Sequence, residues 1–219
     1  MDSRHILEVK KQQIENNLLA LFGEVSKAID EAVKCLVKKD EHICHTLIDN
    51  DVILNEKRRI IEQDCLVALA SQQPVAHDLR DIVADMRMAS ELERMGDYAG
   101  DIAASILEMD DDSLDVLGLL DVQRMASHCQ DMLSHAMRAH REGDTALARR
   151  VGASDEDLDV MLRKLADKLM EIMRQDPKHV HNGSRMLWIA HNLERCGDRC
   201  TNIAEQVIFR IDGETVELD

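Results

Sequence analysis

The segment LERMGDYAGDIA, from Leu92 to Ala103, decides how this chain is organised, because it returns as LERCGDRCTNIA from Leu193 to Ala204. The two copies lie 101 residues apart and share seven of their twelve positions. A repeat of this kind predicts that the two halves of the 219-residue chain fold in the same way.

Helix-breaking signals also recur upstream of the motif. The dipeptide Lys39-Asp40 lies 104 residues before Gly143-Asp144, and the two prolines of the chain, Pro74 and Pro177, lie 103 residues apart. Between these breaks, apolar residues recur every three or four positions, which is the pattern of amphipathic helices. We therefore predict three helices in each half, with each proline in the first turn of a helix.

Composition favours the same architecture. Aromatic residues make up 2% of the chain, which leaves little material for β-sheets, whereas helix-forming residues are abundant. Because long helices joined by short loops run antiparallel, we predict an all-α fold of six long helices. They form two tandem antiparallel three-helix bundles with pseudo-twofold internal symmetry, at residues 1–110 and 111–219. The acidic run Asp110 to Asp112, followed by Ser113, is the predicted stop, link and N-cap between the bundles.

The formal net charge of -16 argues against nucleic acid and bare lipid as partners, because phosphate backbones and anionic leaflets would repel the chain. No apolar stretch approaches the roughly 18 residues of a membrane span, and the N-terminus lacks the apolar core of a signal peptide. The sequence therefore predicts a cytoplasmic protein without direct membrane insertion.

The six cysteines are spread over helical segments, without the short spacings of disulfide frameworks or zinc fingers, so we expect reduced thiols. Cys196 and Cys200 share one helix face and could hold a metal ion. The first half has Met95 and Ala99 at the same places, which favours packing in the core over metal binding.

The repeated motif places acidic side chains along one stripe of a helix. Glu93, Asp97 and Asp101 follow one another at steps of four, and each step drifts by only about 40° around the helix axis. The second half repeats the stripe with Glu194, Asp198 and Asn202. Like charges at this spacing destabilise a helix by roughly 0.2 to 0.5 kcal/mol per pair, so each stripe needs a compensating partner.

Two kinds of partner are available to the stripes. Arg94 can reach Glu91 and Asp97, and Arg195 can reach Asp198, which would make the stripe a salt-bridged surface. A metal ion is the alternative, because carboxylate and amide oxygens are hard ligands for Mg²⁺, Ca²⁺, Mn²⁺ or iron, and zinc also accepts them. Residue spacing leaves both alternatives open.

Further oxygen ligands are available on the second helix of each half. Asp51 and Asn55 stand four residues apart, and Asp155 and Asp159 repeat this spacing at the matching place. If these pairs face the stripes, each half holds a cluster of four or five oxygen ligands.

A glycine lies between the first two acids of each stripe, Gly96 in one half and Gly197 in the other. Glycine inside a helix costs about 1 kcal/mol relative to alanine, so the absence of a side chain must serve a purpose there. It would allow a neighbouring helix or a metal cluster to come close, and either explanation predicts that a bulkier residue harms the site.

Other motifs of known chemistry are absent from the sequence. The histidines share no position in the repeat and form no H-E-x-x-H pattern, so surface and core roles are favoured for them. There is no Glu-x-x-His of a ferritin-like di-iron oxidase, no glycine-rich phosphate loop and no G-x-S-x-G motif.

The chain has two copies of L-E-R-x-G-D followed by D/N-I-A, and Gln73-Pro74 and Asp78-Leu79-Arg80 precede the first copy. This pattern resembles the PhoU family of bacterial and archaeal phosphate-signalling proteins. The resemblance spans essentially the whole chain, and the doubled motif is specific to that family. It implies two three-helix bundles whose E/D-x-x-x-D motifs hold multinuclear clusters of iron, with zinc, manganese or magnesium as alternatives.

Matching the family motif to this chain gives a set of expected metal ligands. The ligands that the resemblance implies are Glu93, Asp97, Asp101, Glu194, Asp198 and Asn202. The spacing adds Asp51, Asn55, Asp155 and Asp159 as further candidates, and Arg94, Gly96, Arg195 and Gly197 complete the motif around them.

Members of the family act as negative regulators of phosphate uptake. They link the phosphate ABC transporter to its partner sensor histidine kinase when phosphate is plentiful. The resemblance therefore implies an adaptor and not an enzyme. We expect a homodimer in the cytoplasm that protein partners recruit to the inner face of the membrane.

The two expected metal sites differ in this chain. Asn202 stands where the first half has Asp101, and Asn55 stands where the second half has Asp159. Because an amide donates oxygen without charge, the two sites are expected to be unequal. The residues also allow two other functions: a metal-dependent hydrolase or phosphatase whose acids activate water, and a metal-free helical scaffold with solvated acids.

Overall fold

The fold is known from a computed structural model, which describes residues 3–110 and 117–218. The first half consists of α1 (Ser3–Lys38), α2 (Glu41–Gln72) and α3 (Ala76–Leu107). The second half consists of α4 (Leu119–Glu142), α5 (Thr145–Ala153), α6 (Asp155–Gln175) and α7 (Val180–Asp212), with a 3₁₀ turn (Pro177–His179) before α7. No strand occurs in these two ranges. The prediction of an all-α fold with two three-helix bundles is confirmed.

The second helix of the second half is broken at Ser154, which we did not predict. The Ser154 hydroxyl donates to the Val151 carbonyl at 2.8 Å, and the Ser154 carbonyl accepts from His128 Nε2 at 2.9 Å. These bonds compete with the regular helical pattern. The helix restarts with three acids at 155–157, which the positive end of the helix dipole favours. Helices α5 and α6 together therefore correspond to α2.

The predicted breaks at Lys39-Asp40 and Gly143-Asp144 are confirmed, and these two share one mechanism. Asp40 Oδ1 accepts from the Ile43 amide at 3.2 Å, and Asp144 Oδ1 accepts from the Leu147 amide at 2.8 Å. Each aspartate is thus the N-cap of the helix that follows it.

The structure corrects one predicted helix start, at Pro74, and leaves another, at Ser113, untested. Pro74 lies in the loop before α3, whose N-cap is Val75, and not in the first turn of the helix. Pro177 does begin a helical turn, the 3₁₀ segment that leads into α7. The proposed cap Ser113 lies outside the described residues, and α4 begins at Leu119 with Gly118 as its N-cap.

Cys35 and Cys44 form a disulfide bond, so the expectation of reduced thiols is wrong for this pair. The turn between α1 and α2 brings their Cα atoms within 6.3 Å, inside the range that a disulfide can span. Sequence spacing alone did not show this proximity. The other four cysteines are free and buried: Cys65, Cys129, Cys196 and Cys200.

The two halves pack against each other along α3 and α7, which share the most extensive contact between helices. Helices α1 and α4 also meet across the halves. Ser26 Oγ donates to Gln130 Oε1 at 2.8 Å, and Gln130 Nε2 donates to the Ser26 carbonyl at 2.6 Å. The division between residues 110 and 111 borders the stretch that is not described, and it stays a prediction. None of the described helices combines the length and apolar character needed to cross a bilayer.

A buried polar cluster fixes the end of α7 to α3 and α4. Arg210 donates to Asp81 Oδ1 at 3.2 Å and to His140 Nδ1 at 2.8 Å. Burial and the neighbouring Arg210 charge lower the pKa of His140 to about 3, so the imidazole is neutral and can accept this bond. Burial raises the pKa of Asp85, whose Oδ1 lies 3.5 Å from His140 Nε2, to about 7.

We predict that Lys39→Gly stabilises the protein. Lys39 has a φ of 52°, whereas the residue at the same place in the second half is Gly143, with a φ of 65°. A side chain in this left-handed conformation costs about 1 to 2 kcal/mol, partly offset by the greater freedom of glycine in the unfolded chain. We expect a gain of about 1 kcal/mol in the free energy of unfolding, measured by urea titration.

The control for this prediction is Lys38→Gly. Lys38 is exposed in the last turn of α1 and helical, so glycine there should lower stability by about 0.5 to 1 kcal/mol. Equal effects of the two substitutions would contradict the argument from backbone conformation.

Candidate metal centres

Helices α2 and α3 form an open cleft of about 630 Å³ in the first half. All five candidate ligands of this half line the cleft: Asp51, Asn55, Glu93, Asp97 and Asp101. The acid and amide of α2 therefore face the acidic stripe of α3, which is the arrangement that the spacing left open.

Four carboxylates line the first cleft, those of Asp51, Glu93, Asp97 and Asp101. Burial, a hydrogen bond with Asp51, and the charges of Glu93 and Asp101 raise the pKa of Asp97 to about 7. Asp51 Oδ2 accepts from Asn55 Nδ2 at 3.2 Å, but Asp51 Oδ1 is buried without a hydrogen-bond partner. Hard oxygen donors and an unsatisfied buried oxygen are the chemistry that a divalent or trivalent cation prefers, so the residue types present fit a metal ion. Among the described residues, no three of these carboxylates place ligand atoms within 4.8 Å of one another, so a bound ion would have to draw them closer.

Three arginines lie at the same cleft. Arg58 Nε lies 3.4 Å from Glu93 Oε1, and Arg94 lines the opening. Arg195 belongs to the second half, yet its guanidinium carbon lies 4.3 Å from the centre of the Tyr98 ring in the first half. This cation–π contact was not apparent from the sequence, because only the packing of α7 on α3 brings the two residues together.

The second half brings its own acids together around Glu194. Burial and the charges of Asp198 and Asp159 raise the pKa of Glu194 to about 7. Asp155 Oδ1 lies beside Gly197, only 2.8 Å from the point where a Cβ atom would be. The pair on α6 thus faces the stripe on α7, as the α2 pair does in the first half.

His191 is a neighbour of the second site that sequence reasoning passed over. Its Nδ1 lies 3.1 Å from Glu194 Oε2. The two residues are three apart on α7 and so share a helix face, which is the signal that the sequence offered. The first half has Ser90 at this place, so the nitrogen group is particular to the second site.

The motif glycines allow close packing of the second helix of each half. A Cβ atom on Gly96 would lie 2.5 Å from Leu54 Cδ1, and one on Gly197 would lie 2.6 Å from Leu158 Cδ2. Such contacts are far below van der Waals distance, so any side chain would push the helices apart or displace the leucine. Each glycine therefore allows the neighbouring helix to pack closely against it.

Asn202 is held against the other half of the molecule. Its Nδ2 donates to Glu91 Oε2 at 3.0 Å, and Arg199 Nη1 donates to the same oxygen at 3.1 Å. Glu91 thus pairs with Arg199 of the second half, a partner that the spacing of residues within one helix could not indicate. An aspartate at position 202 would put a second carboxylate against Glu91, which gives a physical reason for the difference between Asp101 and Asn202.

A more compact group of metal-type side chains lies at the start of α3. His77, Asp78 and Asp81 each offer one potential ligand atom, and these three atoms lie within 4.8 Å of one another. Lys11 Nζ lies 2.6 Å from Asp78 Oδ1 and 2.7 Å from Asp81 Oδ2, and Arg210 also contacts Asp81. Because basic side chains already neutralise these carboxylates, the group is a poor candidate for a cation.

We predict that Asn202→Asp lowers the free energy of unfolding by about 1 to 2 kcal/mol, because it removes a half-buried donor and faces Glu91 with a like charge. Thermal unfolding in the presence of a chelator measures the change without a contribution from metal. Adding Glu91→Gln to Asn202→Asp should recover most of the loss, because the new amide can donate to the aspartate. Additive losses in the double variant would count against this contact.

The chain matches known proteins over both halves. The family model described as the PhoU domain matches residues 18–106 and 122–207. A relative from Clostridium acetobutylicum, named phosphate-specific transport system accessory protein PhoU homolog, is 30% identical over 218 residues, which cover 99% of each chain. A relative of the same name from Pseudomonas aeruginosa is 30% identical over 94% of this chain and 85% of its own length.

Crystal structures show the same fold. The phosphate transport system regulatory protein PhoU from Streptococcus pneumoniae superposes with a TM-score of 0.90 at 27% identity, over 96% of this chain and 99% of that one. PhoU from Pseudomonas aeruginosa superposes with a TM-score of 0.88 at 29% identity, over 94% and 99% of the two chains. With the motif in both halves and a family model that matches most of its length, the chain belongs to the PhoU family.

Proposed function

We propose that this protein is a negative regulator of phosphate uptake and of phosphate-starvation signalling. In this role it acts as an adaptor between the phosphate ABC transporter and its partner sensor histidine kinase. The observation that carries the proposal is the end-to-end match to a relative named as an accessory protein of the phosphate-specific transport system.

The adaptor is proposed to be a cytoplasmic homodimer that reaches the inner face of the membrane through protein partners. The net charge of -16 supports indirect recruitment, because an anionic leaflet would repel the chain. The proposal assigns no turnover to the protein, and the acids of the two sites serve metal binding.

We propose that the cleft of the first half and the acidic site around Glu194 in the second half bind metal ions, with iron first and zinc, manganese or magnesium as alternatives. Glu93, Asp97 and Asp101 would hold the ions of the first cleft with Asp51 and Asn55. Glu194, Asp198 and Asn202 would hold those of the second site with Asp155 and Asp159. Bound cations would supply the positive charge that the facing carboxylates lack, and so tie the second helix of each half to the third. The unsatisfied buried oxygen of Asp51 supports this assignment.

Metal binding predicts that protein purified without chelators or a metal-binding tag contains metal by elemental analysis. Asp51→Ala combined with Asp97→Ala should remove the metal of the first cleft and keep that of the second site. At an ion concentration of about 100 times the dissociation constant, each site should add about 3 kcal/mol of stability, which a chelator removes. This stabilisation should be smaller in the double variant.

The control variant is Glu171→Ala, which removes an exposed acid outside the two sites that pairs with Arg174. It should keep the metal content of the wild type. If the wild type holds no metal, and titration with iron, manganese and zinc leaves it empty, the metal assignment is wrong while the adaptor role still stands.

The adaptor role predicts a defined phenotype. A strain that lacks this protein should express its phosphate-uptake genes at high phosphate, where the parent strain represses them. Reporter expression across a phosphate range measures the effect, and the intact gene on a plasmid should restore repression. Normal repression in the deletion strain would refute the proposal.

A further inference from the structure

His191 extends the acidic stripe of α7 by one turn. It precedes Glu194 by three residues and Asp198 by seven, so the three side chains lie within about 60° of one another around the helix axis. The first half has the hydroxyl of Ser90 at this place. The stripe of the second half therefore begins with a ring nitrogen, whereas the stripe of the first half has oxygen groups only.

The contact between His191 and Glu194 is close, but it is not a hydrogen bond. His191 Nδ1 lies 3.1 Å from Glu194 Oε2, yet this oxygen is buried without a hydrogen-bond partner. Two ligands of one ion, each about 2.1 Å from it, lie about 3 to 3.5 Å apart. The spacing of the nitrogen and the oxygen thus suits joint coordination of an ion, which would also satisfy the buried oxygen.

Trp188 packs against the imidazole ring of His191. The two ring centres are 5.8 Å apart and their planes are tilted by 58°, which is a favourable arrangement of aromatic rings. This contact restricts the rotation of the imidazole, and a ligand whose orientation is restricted in advance loses less entropy when it binds an ion. Both side chains remain partly exposed, so an ion can reach the ring from solvent.

The repeat provides an internal reference for the surroundings of Glu194. Its counterpart Glu93 has a guanidinium beside it, since Arg58 Nε lies 3.4 Å from Glu93 Oε1. At the offset of 104 residues that relates the second helices, Arg58 corresponds to Leu162. The second half thus has an imidazole in place of an arginine beside the glutamate. A guanidinium has no lone pair to donate to a metal ion, whereas a neutral imidazole has one.

An ion bound by His191 and Glu194 needs further ligands. No third acid, histidine or cysteine of the described residues places a ligand atom within 4.8 Å of both, so the ion would have to draw one closer. Asp198 follows on the same stripe, and Asp155 Oδ1 lies beside Gly197, one turn after Glu194. These two carboxylates are the available oxygen ligands.

We propose that His191 is a nitrogen ligand of the metal ion in the second site and that it gives this site a preference for zinc or ferrous iron over manganese. Imidazole suits zinc and iron, whereas carboxylate oxygens suit manganese and magnesium. The first cleft, with oxygen ligands only, would favour zinc over manganese less strongly. The inference rests on the metal binding of the proposed function and adds one ligand to it.

Trp188 is the only tryptophan of the chain, so its fluorescence reports on the second site. The test uses the full chain with Asp51→Ala and Asp97→Ala, which should remove the metal of the first cleft, after treatment with a chelator. Co²⁺ is added as a quencher of the fluorescence, and Zn²⁺ or Mn²⁺ is then added in competition. The displacement curves give the affinity of the second site for each ion.

His191→Ser, which installs the residue of the first half, should lower the affinity of the second site for Zn²⁺ about 100-fold. Loss of groups that only orient a ligand already costs 10 to 100-fold, so loss of a ligand should reach the upper end of this range. The affinity for Mn²⁺ should fall less than about tenfold, because manganese depends more on oxygen ligands. The control His135→Ser changes an exposed histidine of α4 and should leave both affinities unchanged.

X-ray absorption at the zinc edge provides a second measurement on the same proteins. Zinc in the second site should show the scattering signature of one imidazole ring. This signature should disappear in His191→Ser and persist in His135→Ser.

The outcomes separate the nitrogen ligand from metal binding itself. If the second site binds none of these ions when His191 is present, the metal assignment of the proposed function fails there and the nitrogen ligand fails with it. If the site binds ions, but His191→Ser lowers the affinities for Zn²⁺ and Mn²⁺ equally or not at all, His191 is only a surface partner of Glu194. Zinc without the imidazole signature would lead to the same conclusion, and metal binding by the acids would still stand.

Discussion

The positions of the candidate sites depend on the close packing of the second helix of each half against a glycine of the third. Leu54 and Leu158 fill the space that a side chain on Gly96 or Gly197 would occupy. Each leucine follows an acid, Asp51 or Asp155, by three residues, so its packing turns that acid toward the acidic stripe. Helix α6 makes this contact although the break at Ser154 lies just before it. This steric contact therefore holds like charges close together, and a bound cation would reduce the repulsion between them.

The same stripe has different surroundings in the two halves because α3 and α7 pack against each other. Arg195 extends from the second half to Tyr98, and Asn202 and Arg199 both bond to Glu91 of the first half. The two acidic sites are therefore not independent copies, since residues of one repeat help to form the surroundings of the other. Duplication supplied two sites of similar geometry, and the contact between the halves made them chemically unequal.

Helix α2 combines three surfaces that are separated around its axis. Its buried side packs in the core, one edge carries Asp51 and Asn55, and its outer side is apolar. In the second half the corresponding outer side is mostly charged and the helix is broken in two. The repeats therefore differ most on the outside of their second helices, where the bundle fold sets few constraints and contact with other molecules can set more.

The sequence by itself determined the all-α class, the duplication, the three helices of each half and the acids that share a helix face. These follow from local periodicity and from caps such as Asp40 and Asp144, which act within one turn of helix. Only the tertiary structure decided the partner of Asn202, the contact of Arg195 with Tyr98, the Cys35–Cys44 bond and the break at Ser154. Each of these depends on contacts between different helices, or on a competition between local bonds that spacing does not reveal. A repeat predicts that two segments fold alike, but the residues that surround each segment are set by how the halves pack together.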